Sequence, residues 1–226
     1  MPRVLILLGF ACFLLQQFCA AQQAQDENVL SAAGYLKQHF GEVLCHEQQA
    51  FALSIGAPEI IRYHYFRNFL ETASLELLYV EQGSEVIDFS IGPFQMKPSF
   101  VEKLEKKIFF LDLAGDLCRL AEYNKGNPRQ IRQERLRRMQ QAAYQEAYLR
   151  AFRAYCEQHY ADYLCAKTTE EQLGFMATVY NLGFDQEVHT VLAYAKEENF
   201  PYGRDYSGPQ YAYGQLAISI YQQIRQ

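Results

Sequence analysis

The chain has 226 residues, a formal net charge of −5 and a mean hydropathy of −0.24. Half of its residues are hydrophobic and 15% are aromatic, with 17 Tyr, 16 Phe and no Trp. A mildly acidic chain is excluded as a general nucleic-acid binder, which needs a basic face to neutralise phosphates, and its length suits one domain of ordinary size.

The N-terminus carries a targeting signature. Arg3 supplies a short positive region, and Val4 to Leu15 is apolar. Cys19-Ala20-Ala21 then offers small residues before Gln22. Residues 1–21 read as a secretory signal peptide, and the apolar run is short for a membrane span. A lipoprotein would place a small residue before Cys19, where Phe18 stands. The expectation is an exported protein of the periplasm or cell envelope, without a lipid anchor and with no transmembrane segment in the mature chain. Removal of the leader takes away Arg3 and no acid, so the mature chain is more acidic still. Cys45, Cys118, Cys156 and Cys165 remain. They permit two disulfides in three pairings, or four free thiols, and both alternatives stay open.

Residues 22–28 are polar and are expected to be disordered. The domain proper runs over 29–226, and nearly every segment has helical periodicity. Val29 to Phe40 predicts a helix that Gly41 stops, and Val43 to Leu53 a second that ends near Gly56. Pro58 suits a helix start, so a third is predicted from there to about Val80, closed by Gln82-Gly83-Ser84. The stretch 88–100, DFSIGPFQMKPSF, reads as a loop, although most loops are more polar. Pro98 opens a helix to about Phe109. Asp112 to Tyr123 is predicted helical and ends in the turn Lys125-Gly126-Asn127-Pro128. One long helix is predicted from Arg129 to about Ala166, in a run rich in good helix formers. Thr169 to Gln172 has the pattern of a capping box, opening a helix to Tyr180 that Asn181-Leu182-Gly183 breaks. Asp185 to Glu198 and Gln210 to Gln226 complete an all-α, single-domain reading, with a loop over Pro201 to Gly208 between them.

Few residues carry chemistry in this pattern. His39, His46, His64, His159 and His189 include no helical pair at four-residue spacing, and no HExxH or CxxC is present. No metal and no cofactor are therefore expected. Cys45 and His46 are adjacent, so their side chains diverge on a helix. Glu59 stands out because Phe51 to Pro58 before it is uncharged. A poorly solvated carboxyl has a raised pKa and makes a proton donor near neutral pH. Arg129 to Arg138 holds five arginines. It reads as a solvated face with pairs to Glu134, or as a contact for peptide carboxylates.

Three short elements, in order, resemble the lytic transglycosylases of the lysozyme-like superfamily. They are Glu59 after its apolar segment, Ser90-Ile91-Gly92-Pro93-Phe94-Gln95 as an S-x-G-x-x-Q turn, and Ala177-Thr178-Val179-Tyr180-Asn181-Leu182-Gly183. The resemblance covers about residues 45–220. It implies a lysozyme-like domain acting on the glycan strands of peptidoglycan, with Glu59 as the single catalytic acid and base. Ser90, Gly92, Gln95, Tyr180 and Asn181 would bind substrate. A monomer is the favoured state.

The chain departs from the family in two places. Ile60 stands where the family has serine, and 31 positions separate Glu59 from Ser90, so the chain carries an inserted stretch there. Glu81, nine positions before Ser90, is the competitor for the acid. Its neighbours Gln82, Gly83, Ser84 and Glu85 are polar, which keeps a carboxylate ionised, so Glu59 is preferred. Two other readings remain. A hydrolytic muramidase would want a second placed carboxylate, for which Asp88, Glu71 and Glu85 are candidates. A glycan-binding or scaffold protein would keep the fold without activity.

Overall fold

The computed structural model describes the backbone of residues 2–65, 69–111, 113, 117–123 and 126–226, and the side chains of residues 22–63, 73–111, 113, 117–123 and 126–226. Its helices are α1 (Pro2–Leu44), α2 (Glu47–Gly56), α3 (Pro58–Tyr65), α4 (Phe69–Gln82), α5 (Pro98–Ile108), α6 (Pro128–Met139), α7 (Ala142–His159), α8 (Ala161–Leu164), α9 (Thr169–Leu182), α10 (Val188–Tyr194) and α11 (Tyr213–Ile224), with a 3-10 turn at Cys118–Ala121. Among the described residues the only extended pairings are two isolated antiparallel bridges, Ile91 with Met96 and Phe200 with Tyr211. The protein is all-α. Among the described residues no helix is long and apolar enough to cross a membrane.

Helix α2 is the centre of the core. Its residues Ala50 to Gly56 are all buried, as expected of a helix apolar on every side. Helices α1, α7, α9 and α11 pack around it. The Ser54 hydroxyl donates to the Ala50 carbonyl at 2.7 Å, so the polar group inside this helix is satisfied. At its end, a Cβ on Gly56 would lie 3.2 Å from Phe94 and 3.3 Å from Leu149. The missing side chain lets the 88–100 stretch close over the end of α2.

Several boundaries differ from the sequence expectation. Residues 22–28 are helical and continue α1, with i,i+4 bonds from Gln22 to Asp26 and from Gln23 to Glu27, both 3.2 Å. The long helix expected over 129–166 is three helices, α6 to α8. It breaks where Gln141 turns extended at φ −101°, ψ 127°. The Gln145 side chain then donates to the carbonyls of Met139 (2.6 Å) and Ile91 (3.0 Å). That tertiary partner is invisible to helix propensity. Within Asp112 to Tyr123 only the Cys118–Ala121 turn is regular among the described residues. The capping box is one residue earlier than predicted: Thr168 accepts from the Glu171 amide, and Glu171 accepts from the Thr168 amide. Among the described residues Cys45, Cys156 and Cys165 are free thiols, Cys156 buried and the other two exposed. The proposed leader 1–21 and Glu71 lie outside the residues whose side chains are described.

The arginine run is a packing face. Arg129, Arg132, Arg135 and Arg138 are spaced by three and fall along one side of α6. Arg129 pairs with Glu81 at 2.7 Å. Arg132 donates to the carbonyls of Val80 and Glu81, both at 2.8 Å, and so caps the end of α4. Arg138 donates to the carbonyls of Leu120 and Glu122. Arg135 is buried and pairs with Glu102 at 3.0 Å and Glu105 at 2.7 Å, with Tyr79 and Tyr148 completing the network. The expected pairs to Glu134 are made by Arg137 at 2.7 Å, on the solvated side, and by Arg138 at 3.2 Å. The stripe clamps α4, α5 and α6 together, with Arg129, Arg135 and Arg138 paired to carboxylates of the chain.

Candidate active site

Glu59 sits in the first turn of α3, where the chain leaves the buried helix α2. Ala57, Ile60 and Ile61 around it are buried in the core. The residue is 4% exposed, and its carboxyl stands where the core meets a cleft of about 310 Å³. The cleft is also lined by Ser90, Gln95, Tyr180 and Asn181. Four of the five substrate-binding candidates therefore share one surface with Glu59.

Burial dominates the electrostatics of this carboxyl. Desolvation raises its pKa from 4.5 to about 7, against the weaker opposing pulls of Arg62, Lys97 and Tyr213. Arg62 Nη1 lies 3.0 Å from Glu59 Oε2. This oxygen is nonetheless buried without a well-formed hydrogen bond, as is the Tyr213 hydroxyl. The Tyr213 hydroxyl is near enough to lower the Glu59 pKa, but its geometry falls short of a well-formed hydrogen bond. Near pH 7 the group is divided between its acid and its carboxylate, the condition under which one carboxyl can both give and take a proton.

The apolar loop facing Glu59 owes its composition to anchoring. Ile91 and Met96 exchange backbone hydrogen bonds of 2.8 and 3.1 Å, and Gln95 N donates to Gly92 O at 3.0 Å. Ile91, Phe94 and Met96 are buried, and the Phe94 ring packs 5.6 Å from Phe40. Gly92 has φ 69° and Gln95 φ 47°. A non-glycine residue in the left-handed region is uncommon and collects at functional sites. The Gln95 amide nitrogen closes the turn onto Gly92 O at 2.8 Å, and its carbonyl oxygen has no partner among the described residues. The Ser90 hydroxyl likewise has none.

Gly92 belongs to the other side of the turn. It does not line the cleft. A Cβ there would fall 1.9 Å from Gln145 Nε2, so the glycine makes room for the scaffold amide rather than for substrate. Tyr180 lines the cleft, but its hydroxyl donates to Phe94 O at 2.8 Å. Its ring meets Phe100 and Phe152 edge-on at 5.0 and 5.6 Å. Burial and the Glu59 charge push its pKa up, so it remains a neutral donor. Asn181 makes one weak contact, 3.4 Å to the Tyr194 hydroxyl.

The competing carboxylates sit in different surroundings. Glu81 is exposed, away from the cleft, and the Arg129 hydrogen bond holds its pKa below the usual carboxylate range. Asp88 does line the cleft. Both of its oxygens are occupied, by the Ser99 amide at 3.0 Å and the Ser99 hydroxyl at 2.7 Å, which caps the start of α5. Glu85 opens on a separate pocket beside α6. A larger cavity, about 590 Å³, lies against α6 and is lined by Glu76 and Glu134. Glu134 is held at about pKa 2 by Arg137, and Gln140 donates to Glu76. Of these carboxyls, Glu59, whose pKa is raised towards neutrality, lines the smaller cleft.

No family model, curated protein or solved structure matches this chain. Among the described residues no three of His, Cys, Asp and Glu gather as a metal site would require. Arg62, Lys97 and Lys103 also line the cleft and Tyr213 lies beside the Glu59 carboxyl, and none of the four is among the sequence-predicted site residues. Arg62 had a signal, since it follows Glu59 at the i,i+3 spacing of helical ion pairs. Lys97, Lys103 and Tyr213 had none.

Proposed function

We propose that the chain is a peptidoglycan lytic transglycosylase with a lysozyme-like domain, in which Glu59 is the sole catalytic acid and base. The observation that carries this reading is a nearly buried carboxyl titrating near neutrality, open to a cleft that also holds Ser90, Gln95 and Asn181. Protonated Glu59 donates to the glycosidic oxygen between N-acetylmuramic acid and N-acetylglucosamine. The C–O bond breaks through an oxocarbenium-like state. The resulting carboxylate takes the proton of the 6-hydroxyl on the same muramic residue, whose oxygen closes a 1,6-anhydro ring. The proton returns to Glu59 and no water is consumed. Ser90 and the Gln95 carbonyl oxygen are positioned to meet hydroxyl and N-acetyl groups. Such a substrate requires export, in keeping with residues 1–21 as a leader and with a place in the periplasm or cell envelope.

Asp88 favours a second reading, a hydrolytic muramidase, because it is a second carboxylate on the same cleft. Its two bonds to Ser99 oppose that role. Digestion of purified sacculi in ¹⁸O-labelled water, read by mass spectrometry, separates the two. Anhydro-muropeptides without label are expected. Labelled reducing ends would establish hydrolysis, and intact sacculi would overturn both enzymatic readings in favour of the binding one.

A further inference from the structure

We propose that Arg62 is the positioning residue of this cleft, a fork that ties the Glu59 carboxyl to the loop joining α10 to α11. The proposal rests on Glu59 being the reacting acid. Arg62 lies one helical turn after Glu59 on α3. One guanidinium nitrogen, Nη1, stands 3.0 Å from Glu59 Oε2. The other, Nη2, donates to the Pro201 carbonyl at 2.7 Å. The guanidinium carbon also lies 4.9 Å over the Phe200 ring centroid. Three contacts hold one planar group, which a lysine ammonium could not reproduce.

The loop end of this tether is itself fixed. Phe200 is buried, exchanges backbone bonds of 3.2 and 2.9 Å with Tyr211, and meets Tyr213 edge-on at 5.0 Å. At the Glu59 end the Oε2 forms no well-directed hydrogen bond, so the Arg62 contact there is an ion pair. Other charged or titratable groups also face this cleft, and Lys103 lines it from α5. Lys97 at the start of α5 leans towards Asp88 at 4.0 Å, and Asp88 is held by Ser99. The Tyr180 hydroxyl from α9 bonds Phe94 O, and the Tyr213 hydroxyl from α11 is undirected. Arg62 is the cation at ion-pair distance, so it both aims the acid and stabilises the carboxylate that remains after proton donation.

The test reads Glu59 directly. Carboxyl-selective ¹³C NMR titration of the parent, Arg62→Met and Arg62→Lys gives the Glu59 midpoint, and kcat and KM are measured on soluble glycan fragments. Loss of the cation favours the protonated form, so Arg62→Met is expected to raise the midpoint by about one pH unit, with the alkaline limb of kcat following it. Arg62→Lys keeps the charge and loses the fork. Its midpoint is expected to stay near the parent's while kcat falls about tenfold at unchanged KM, an effect of about 1.4 kcal/mol. A folded Arg62→Met with the parent midpoint overturns the proposal, and so does an Arg62→Lys with the parent kcat. If the parent cleaves no glycan, the enzymatic reading fails, whereas the NMR midpoints still decide whether Arg62 governs Glu59.

Discussion

The Tyr180 hydroxyl donates a 2.8 Å hydrogen bond to the Phe94 carbonyl, joining α9 to the tip of the 88–100 turn across 86 positions of chain. Two of the three elements that carry the family resemblance are thus bonded to each other, and the third, Glu59, lines the same cleft. Tyr180→Phe removes the donor and leaves the buried carbonyl unpaired, at a cost of about 1–2 kcal/mol. Denaturant unfolding is expected to show that loss. Glycan cleavage should weaken with no change in the pH midpoint of kcat, because the turn loosens while the acid keeps its surroundings.

Gly92→Ala tests the scaffold side of the turn. The position has φ 69°, and an added methyl would overlap the Gln145 amide. Gln145 then loses its seat on the Ile91 and Met139 carbonyls. Destabilisation of about 2–4 kcal/mol is expected from the left-handed strain together with the broken buried bonds. A neutral result in chemical denaturation would show that the Gln145 contact does not shape the turn.

Glu59 leaves a signature in stability. Its carboxyl titrates near 7 when folded and near 4.5 as a free side chain. The folded protein holds the proton more tightly, so its stability is fullest below the unfolded pKa and falls as pH rises from 4.5 to 7. An isosteric amide escapes that loss. Glu59→Gln is expected to match the parent near pH 4 and to exceed it by up to about 3 kcal/mol at pH 8, at 1.36 kcal/mol per pKa unit. Thermal unfolding across pH 4–8 measures the divergence, and the same variant is expected to release no anhydro-muropeptides.

The arginine clamp separates structural charge from catalytic charge. Arg135→Met leaves Glu105 buried beside Tyr148 without its cation, and about 3–5 kcal/mol of stability should be lost. Glu81→Gln removes only an exposed partner of Arg129. Unfolding temperature and glycan cleavage are both expected to stay at parent values, and a loss of cleavage would make Glu81 the acid.

Much of this protein was legible one segment at a time. Helical periodicity marked the all-α class, Pro58 and Pro98 marked helix starts, and the uncharged run before Glu59 marked a carboxyl short of solvent. These are local properties, set by spacing and by the character of near neighbours. The tertiary structure decided what depends on partners distant in sequence. It broke the 129–166 helix because Gln145 is held by Ile91, and it turned an arginine run into a clamp because Glu81, Glu102 and Glu105 stand opposite. It moved Gly92 from the substrate side to the scaffold side. It also set Arg62 between Glu59 and a loop some 140 positions away. A sequence displays the spacing of its charges, whereas pairing and desolvation arise only when packing excludes water between particular groups.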